Sequence, residues 1–205
     1  MTNRGRPPLV SDEKILDAAL AAFAAAGYEA MSVRALNANL GLSHETVSKR
    51  FGPKEQLFRA AVQHGTNQFI DDYDRELSLA APATDLDVLR ATLRAFMLAS
   101  SRHHALGDLL HHDSIDDAHR SAIIGQTGFA DRIASTAGLL ERLHRAGVIR
   151  ATRIRELWFL AHGAAAPLLF TSLSAMFDPF DGPLDAAQHV ERMADLIIRG
   201  IRTAT

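Results

Sequence analysis

The 205-residue chain contains no cysteine, which excludes disulfides, thiolate metal centres and cysteine nucleophiles and makes a reducing interior harmless to it. No apolar signal core follows Arg4 and Arg6, because Pro7, Pro8 and a charged helix start come next; export is not expected, and a cytoplasmic location is. Period-2 alternation is missing throughout, so nothing reads as a half-buried strand. Internal repeats and low-complexity tracts are missing too. The longest apolar run, Leu157 to Phe177, approaches membrane-spanning length, but it holds His162, Gly163 and Pro167 and follows Arg153, Arg155 and Glu156. It reads as a buried helix, with no membrane partner. Net charge is small, −2 overall, although residues 1–60 carry eight Lys/Arg against six Asp/Glu and the remainder 14 against 18. Placement of the basic side chains, more than their sum, must then decide whether nucleic acid is a partner.

What the chain does have is apolar content, 47%, enough for one sizeable core or for a core with a small appended domain. Met1 to Val10 combines Gly5, two prolines and two arginines, a flexible basic arm. Ser11 then caps a first helix whose inward positions are Ile15, Ala19, Ala22, Phe23 and Ala26, stopped by Gly27. Ser32 caps a second helix with Val33, Leu36 and Leu40 inward, ended by Gly41. Ser43 starts a third, with Val47 and Phe51 inward and His44, Glu45, Ser48 and Lys49 sharing another face, closed by Gly52 and Pro53. From Lys54 an amphipathic rod runs through Leu57, Phe58, Ala61, Val62, Phe69, Ile70 and Tyr73. After Ala81–Pro82–Ala83, helical patterns cover 86–100, 106–112, 116–146, 154–177 and 184–201. Gly125 and Gly128 divide or bend the third of these, Pro167 kinks the fourth, and residues 178–183 form a turn. The fold expected is all-α.

Two short helices joined by a glycine-containing turn, the second presenting polar side chains, suit a helix-turn-helix from Ser32 to Phe51 whose second helix lies in a major groove. An ordinary helical hairpin with a solvated face gives the same pattern. More of the sequence separates the two. RGRP, ILDAALAAFAAAGYEAMSVRALNANLGLSHETVSKRF and GPKEQLFRAAV together resemble the DNA-binding domain of the tetracycline-repressor (TetR/AcrR) family over about residues 4–62. The matched positions include the AAL–F–GY pattern, the Ser-Val-Arg opening, the Gly-Leu-Ser turn, Thr46, Phe51 and Lys54-Glu55. The chain departs from the family at Ser48, where tyrosine is frequent and commonly contacts phosphate, at Arg50, where tyrosine or histidine is frequent, and at Glu45, where a small residue is usual. Ser48 reaches less far than tyrosine, and a guanidinium at Arg50 would compensate.

By reach, Ser32, Thr46, Ser48, Arg50 and Lys54 are candidates for phosphate contacts, and His44, Glu45 and Lys49 for base edges. Arg34 serves either use, Ser43 completes the set at the turn, and Arg4 and Arg6 reach a neighbouring minor groove or remain a tail without contacts. Glu45 either accepts from cytosine N4 or stabilises the helix dipole.

The resemblance implies three segments: arm 1–10, helix-turn-helix domain 11–54, and a helical ligand-binding and dimerisation domain 55–205. It also implies a homodimer built on the last two helices, double-stranded operator DNA and an unidentified small-molecule effector as partners, and repression relieved by that effector. Aromatic and apolar candidates for an effector pocket are Phe96, Leu110, Phe129, Ile133, Trp158, Phe159, His162 and Phe170, although core packing selects the same residue types. No cofactor is called for. The run from Arg102 to Asp113 places His104, Asp108, His111 and His112 at helical spacings that suit zinc or nickel, with a solvated polar face as the plainer reading. An enzyme using that run would need a nucleophile, phosphate loop or carboxylate pair, and none accompanies it, so catalysis is not expected. A helical adaptor that has lost DNA binding is the remaining alternative, motivated by Ser48 and Glu45.

Overall fold

A computed structural model describes residues 10–111, 115, 117–119, 121 and 128–203. Arg4, Arg6, His112 and Gly125 lie outside the described residues, as does the side chain of His111. The described residues hold helices and no strand; one isolated antiparallel bridge joins Ile149 to Arg202. Two compact units form, one from residues 1–66 with 105–123 and the other from 67–104 with 124–205.

In the first unit, α1 (Asp12–Ala30) begins where Ser11 Oγ accepts from the Lys14 amide at 3.3 Å, with Asp12 and Glu13 in the positive first turn. Gly27 leaves the helix at φ +76°, a conformation cheap only for glycine, and the segment after it swings Tyr28 toward the core. α2 (Val33–Asn39) starts on Ser32, whose Oγ accepts from the Ala35 amide. α3 (Thr46–Phe51) starts later than the Ser43 expected. Two competing bonds delay it. The Ser43 carbonyl accepts from the Thr46 amide at 3.0 Å, and the His44 carbonyl accepts from the side chain of Asn37 at 3.1 Å. α4 (Lys54–Ala80) contributes Leu57, Phe58, Ala61 and Val62 to this core, which also holds Ile15, Ala19, Leu20, Phe23, Met31, Leu36, Val47, Leu109 and Ile115. Of the first helix's expected inward positions, Ala22 is half-buried and Ala26 exposed, while Leu20 and Gly27 are buried instead.

The second unit is built around α5 (Asp85–Arg102), capped by a reciprocal Thr84–Asp87 box. Leu89, Ala91, Leu93, Ala95, Met97 and Ala99 are all buried. Successive members of that set point to opposite sides of a helix, so α5 is covered almost all round, as a central helix is. α7 (Phe129–Arg145), α8 (Ile154–Leu169) and α9 (Ala186–Ile201) pack with it. α6 is His104–His111. Arg94 pairs with Glu191 at 2.7 Å, Arg90 with Asp195, and His189 Nε2 donates to the Ala164 carbonyl at 2.8 Å, tying α9 to α5 and α8.

The expected long helix over 154–177 is two pieces. Pro167 sits inside α8 without ending it; the break comes at Phe170 (φ −104°, ψ 61°), and the following segment Thr171–Asp181 turns away by 78°. Proline removes the amide that would bind the Gly163 carbonyl, and the helix outlasts that loss by less than a turn. No single helix among the described residues is long and apolar enough to cross a membrane. Residues Asp178–Asp181, expected as turn, make one helical turn with Pro179 near its start, and Gly182 at φ +78° stops it.

Candidate functional site

The turn between α2 and α3 is organised by Asn37, a residue the sequence pattern passed over. It is wholly buried, its Nδ2 donates to the carbonyls of Val33 (2.9 Å) and His44 (3.1 Å), and its Oδ1 accepts from the Val47 amide (3.1 Å). One side chain thus fixes the end of α2, the turn and the start of α3. Its place four residues after Val33, on the apolar stripe of α2, was the available signal. Gly41 supplies the positive φ of +66° that the turn needs.

With Val47 buried and Phe51 packed on the core, α3 and its approach present His44, Glu45, Ser48 and Lys49 to solvent. Ser32, Arg34 and Ser43 are exposed near them in sequence, and Thr46 is half-buried with its Oγ1 2.7 Å from Ser43 Oγ. Lys49 reaches back to Glu45 at 2.7 Å, both side chains more than 70% exposed. Such a pair holds little energy and exchanges readily for a phosphate.

Two of the expected phosphate contacts point elsewhere. Arg50 Nη1 donates to the Val10 carbonyl at 2.7 Å and pairs with Asp12 at 3.1 Å, clamping the start of α1. Lys54 Nζ donates to the Glu29 carbonyl at 2.9 Å and lies 5.0 Å from the Tyr28 ring centroid. Both finish the frame on which α3 is carried.

Behind that frame, Glu55 accepts from Tyr28 Oη (2.8 Å), Arg59 Nε (2.8 Å) and His119 Nε2 (3.3 Å), and the His119 ring packs on Tyr28 and Phe58. The Arg59 bond, then the Tyr28 bond, hold the Glu55 carboxyl below its ordinary 4.5, against burial. Burial, then the bond to Glu55, push the Tyr28 hydroxyl up to about 12. A depressed carboxyl stabilises the fold fully above its unfolded value and ceases to as pH falls through its folded one. Between pH 6 and pH 3.5 the native chain will therefore lose more stability than Glu55→Gln. With Glu55 39% exposed, the difference is about 1 kcal/mol. Thermal melts at the two pH values check this; parallel losses in the two proteins would contradict it.

The second unit holds a cavity of about 70 Å³. Phe96, Phe129, Ile133 and Trp158, four of the residues named from sequence, line it together with Phe69, Tyr73, Thr92, Leu93, Arg132, Thr136, Ile154, Leu157 and Ala161. The others fall outside it. His162 stacks on Trp158 with centroids 5.3 Å apart, Leu110 packs into the first unit's core, and Phe159 and Phe170 are exposed. Tyr73, Thr92, Thr136 and Arg132 were missed because a pocket's few polar groups follow no periodicity. Burial raises the Tyr73 hydroxyl's pKa, opposed by hydrogen bonds with Thr92 and Thr136.

His104 and Asp108 are exposed on α6, and no group of three or more metal-ligating side chains occurs among the described residues. A large apolar surface also lies open on the second unit: Phe159 and Leu160 on α8, Phe170, Leu173, Met176, Phe177 and Phe180 after it, and Leu184 and Leu196.

Residues 15–61 match the family model of bacterial regulatory proteins, tetR family. No curated protein matches the chain. Among solved structures, the TetR family transcriptional regulator PfmR from Thermus thermophilus is 23% identical, with a TM-score of 0.63 over 95% of this chain and 99% of that one. AibR, solved in complex with isovaleryl coenzyme A and operator DNA, is 21% identical, with a TM-score of 0.66 over 92% and 96%. A TetR family transcription regulator from Marinobacter aquaeolei is 18% identical, with a TM-score of 0.65 over 93% and 94%. At these identities the whole-chain likeness is one of fold.

Proposed function

We propose that this chain, whose residues 15–61 match the family model of tetR regulatory proteins, belongs to that family as a homodimeric transcriptional regulator that binds a pseudo-palindromic operator and leaves it when a small molecule occupies the second unit. The observation that carries this reading is the outward polar face of α3. His44, Glu45, Ser48 and Lys49 are exposed there, while Val47 and the Asn37 clasp hold the helix from behind. A helix of this kind fits a major groove. We assign base contacts to His44 and Lys49 and phosphate contacts to Ser32, Arg34, Ser43, Thr46 and Ser48, with Arg50 and Lys54 positioning the frame.

The exposed apolar side chains of α8 and α9 supply the dimer face, since a monomer seldom leaves so many large ones open. Two recognition helices then meet two half-sites. The cavity is the effector site. For release, the effector must bind the arrangement that does not fit the operator more tightly than the one that does; equal affinity for both would shift nothing. Such a regulator works in the cytoplasm, beside its DNA, and performs no catalysis.

Binding to DNA from the region upstream of its own coding sequence, measured across salt concentrations, tests the reading. Lys49→Ala will weaken binding 10- to 100-fold, roughly the 1–3 kcal/mol of a lost base contact. Glu45→Ala separates two uses of that carboxylate. Binding to random DNA will tighten, because a charge repelled by phosphates is gone, while the operator gains less if Glu45 accepts from a cytosine. Salt-insensitive binding, or equal affinity of native chain and Lys49→Ala, would favour the adaptor that has lost DNA recognition.

A further inference from the structure

The walls of the cavity select for a narrow class of molecule. Five aromatic rings line it, and they are set at different angles: Phe69 stacks on Phe129 with centroids 5.2 Å apart and on Tyr73 at 6.4 Å, Phe96 stands edge-on to Phe69 at 6.2 Å, and Trp158 is tilted to Phe96 at 6.1 Å. At these separations the rings pack on one another, and the faces they leave toward the cavity form an apolar wall on which a further flat ring can stack or stand edge-on. Size is restrictive. An engineered cavity of about 150 Å³ lined by Leu, Ile and Phe takes benzene, and this one, at about 70 Å³, is less than half as large, so a single ring enters only as the lining side chains move apart, and a larger ligand is disfavoured further.

Charge is restrictive as well. Among the described residues no carboxylate lines the cavity, and the one cation in its wall, Arg132, is committed: Nε and Nη2 donate to Asp74 and Nη1 donates to the Gly128 carbonyl at 3.3 Å. A charged ligand would be desolvated without a counter-charge, at a cost of several kcal/mol. A phosphate-bearing thioester would need several free cations, which this lining does not supply. Besides the Trp158 indole N–H, the remaining polar side-chain groups of the lining are hydroxyls. Tyr73, Thr92 and Thr136 bring their hydroxyls to one lining, and the Thr136 hydroxyl donates to the Arg132 carbonyl at 2.9 Å. A hydroxyl both donates and accepts, so this cluster can meet one neutral oxygen of either kind.

We propose that the effector is a small, neutral, monocyclic aromatic compound with a single hydrogen-bonding oxygen, a phenol or an aryl ketone, whose ring enters the aromatic box and whose oxygen meets the Tyr73 hydroxyl. The proposal rests on the reading of this cavity as the effector site. It departs from the isovaleryl coenzyme A seen in the structurally similar AibR.

The chain has one tryptophan, and it is Trp158 in the cavity wall, so intrinsic emission of the full-length protein reports occupancy directly. Titrations with p-cresol and acetophenone will change that emission, with dissociation constants on the order of 10–100 μM for ligands of eight or nine heavy atoms. Benzoate, of the same shape but charged, will bind at least ten-fold more weakly. Tyr73→Phe will weaken p-cresol about five-fold, the worth of one hydrogen bond, and leave toluene unchanged, which a merely structural loss would not do. Tighter binding of benzoate or isovaleryl coenzyme A than of p-cresol would overturn the proposal, as would unchanged emission with every neutral probe in protein that still binds its operator. Protein that takes p-cresol with the Tyr73 dependence but binds no DNA would uphold this inference and remove the regulator reading instead.

Discussion

Replacing Asn37 by leucine will destabilise the first unit by about 3 kcal/mol, at the upper end of the ~1–3 kcal/mol for a buried polar group left without its partner. Leucine keeps the volume, so the loss is one of hydrogen bonding. The Val47 amide and the carbonyls of Val33 and His44 lose their buried partner together. Asn37→Asp retains an acceptor for the Val47 amide but has no amide to give, and will fall between the two. Stabilities of native proteins are only about 5–15 kcal/mol, so a change of this size is a large fraction of the total. Chemical denaturation followed by far-UV circular dichroism reads it. Operator affinity will fall in step, because α3 loses the bond that sets its first turn. A leucine variant as stable as the native chain would show that the turn is held by packing alone.

The second large effect concerns assembly. Phe159→Glu combined with Leu196→Glu places two carboxylates on side chains now 60% and 57% exposed. On a free surface such changes cost within about 0.5 kcal/mol, so the fold will survive. On a dimer face they bury unpaired charge, and the chain will run as a monomer by sedimentation while retaining its helical signal. Operator affinity will drop more than 100-fold, since a monomer engages one half-site and loses the effective concentration that links the two. A double variant that still sediments as a dimer would move the interface elsewhere. In that case the apolar segment Leu173–Phe180, also exposed, becomes the face to test.

Helix periodicity, capping serines and terminal glycines placed α1 and α2 nearly to the residue, because each depends on neighbours close in sequence. The outward face of α3 was readable for the same reason. Its start was not, since the Asn37 bond to the His44 carbonyl crosses the turn and competes with a helical hydrogen bond. Arg50 illustrates the same difficulty at longer range. As a basic residue on a recognition helix it fits a phosphate contact, yet Val10 and Asp12, 40 and 38 residues earlier, hold its Nη1. Reach along a helix was legible; competition from a distant carboxylate was not.

The second unit shows where composition stops being informative. Phe96, Phe129, Ile133 and Trp158, pocket candidates on apolar character, line the cavity, but Phe159 and Phe170 share that character and are exposed. Which ring faces inward depends on helix rotation and on the break at Phe170, and neither is written in residue type. The polar cluster of Tyr73, Thr92 and Thr136 comes from three helices, and only their packing brings it together.

Whether the exposed face of α3 reads DNA sequence is decided by selection of genomic fragments bound by the purified protein. One enriched motif is expected, with two inverted half-sites centred about 10–10.5 base pairs or a multiple of that apart, and its enrichment will disappear with Lys49→Ala. Fragments recovered without any shared motif, or a motif unchanged by that substitution, would contradict that role for α3.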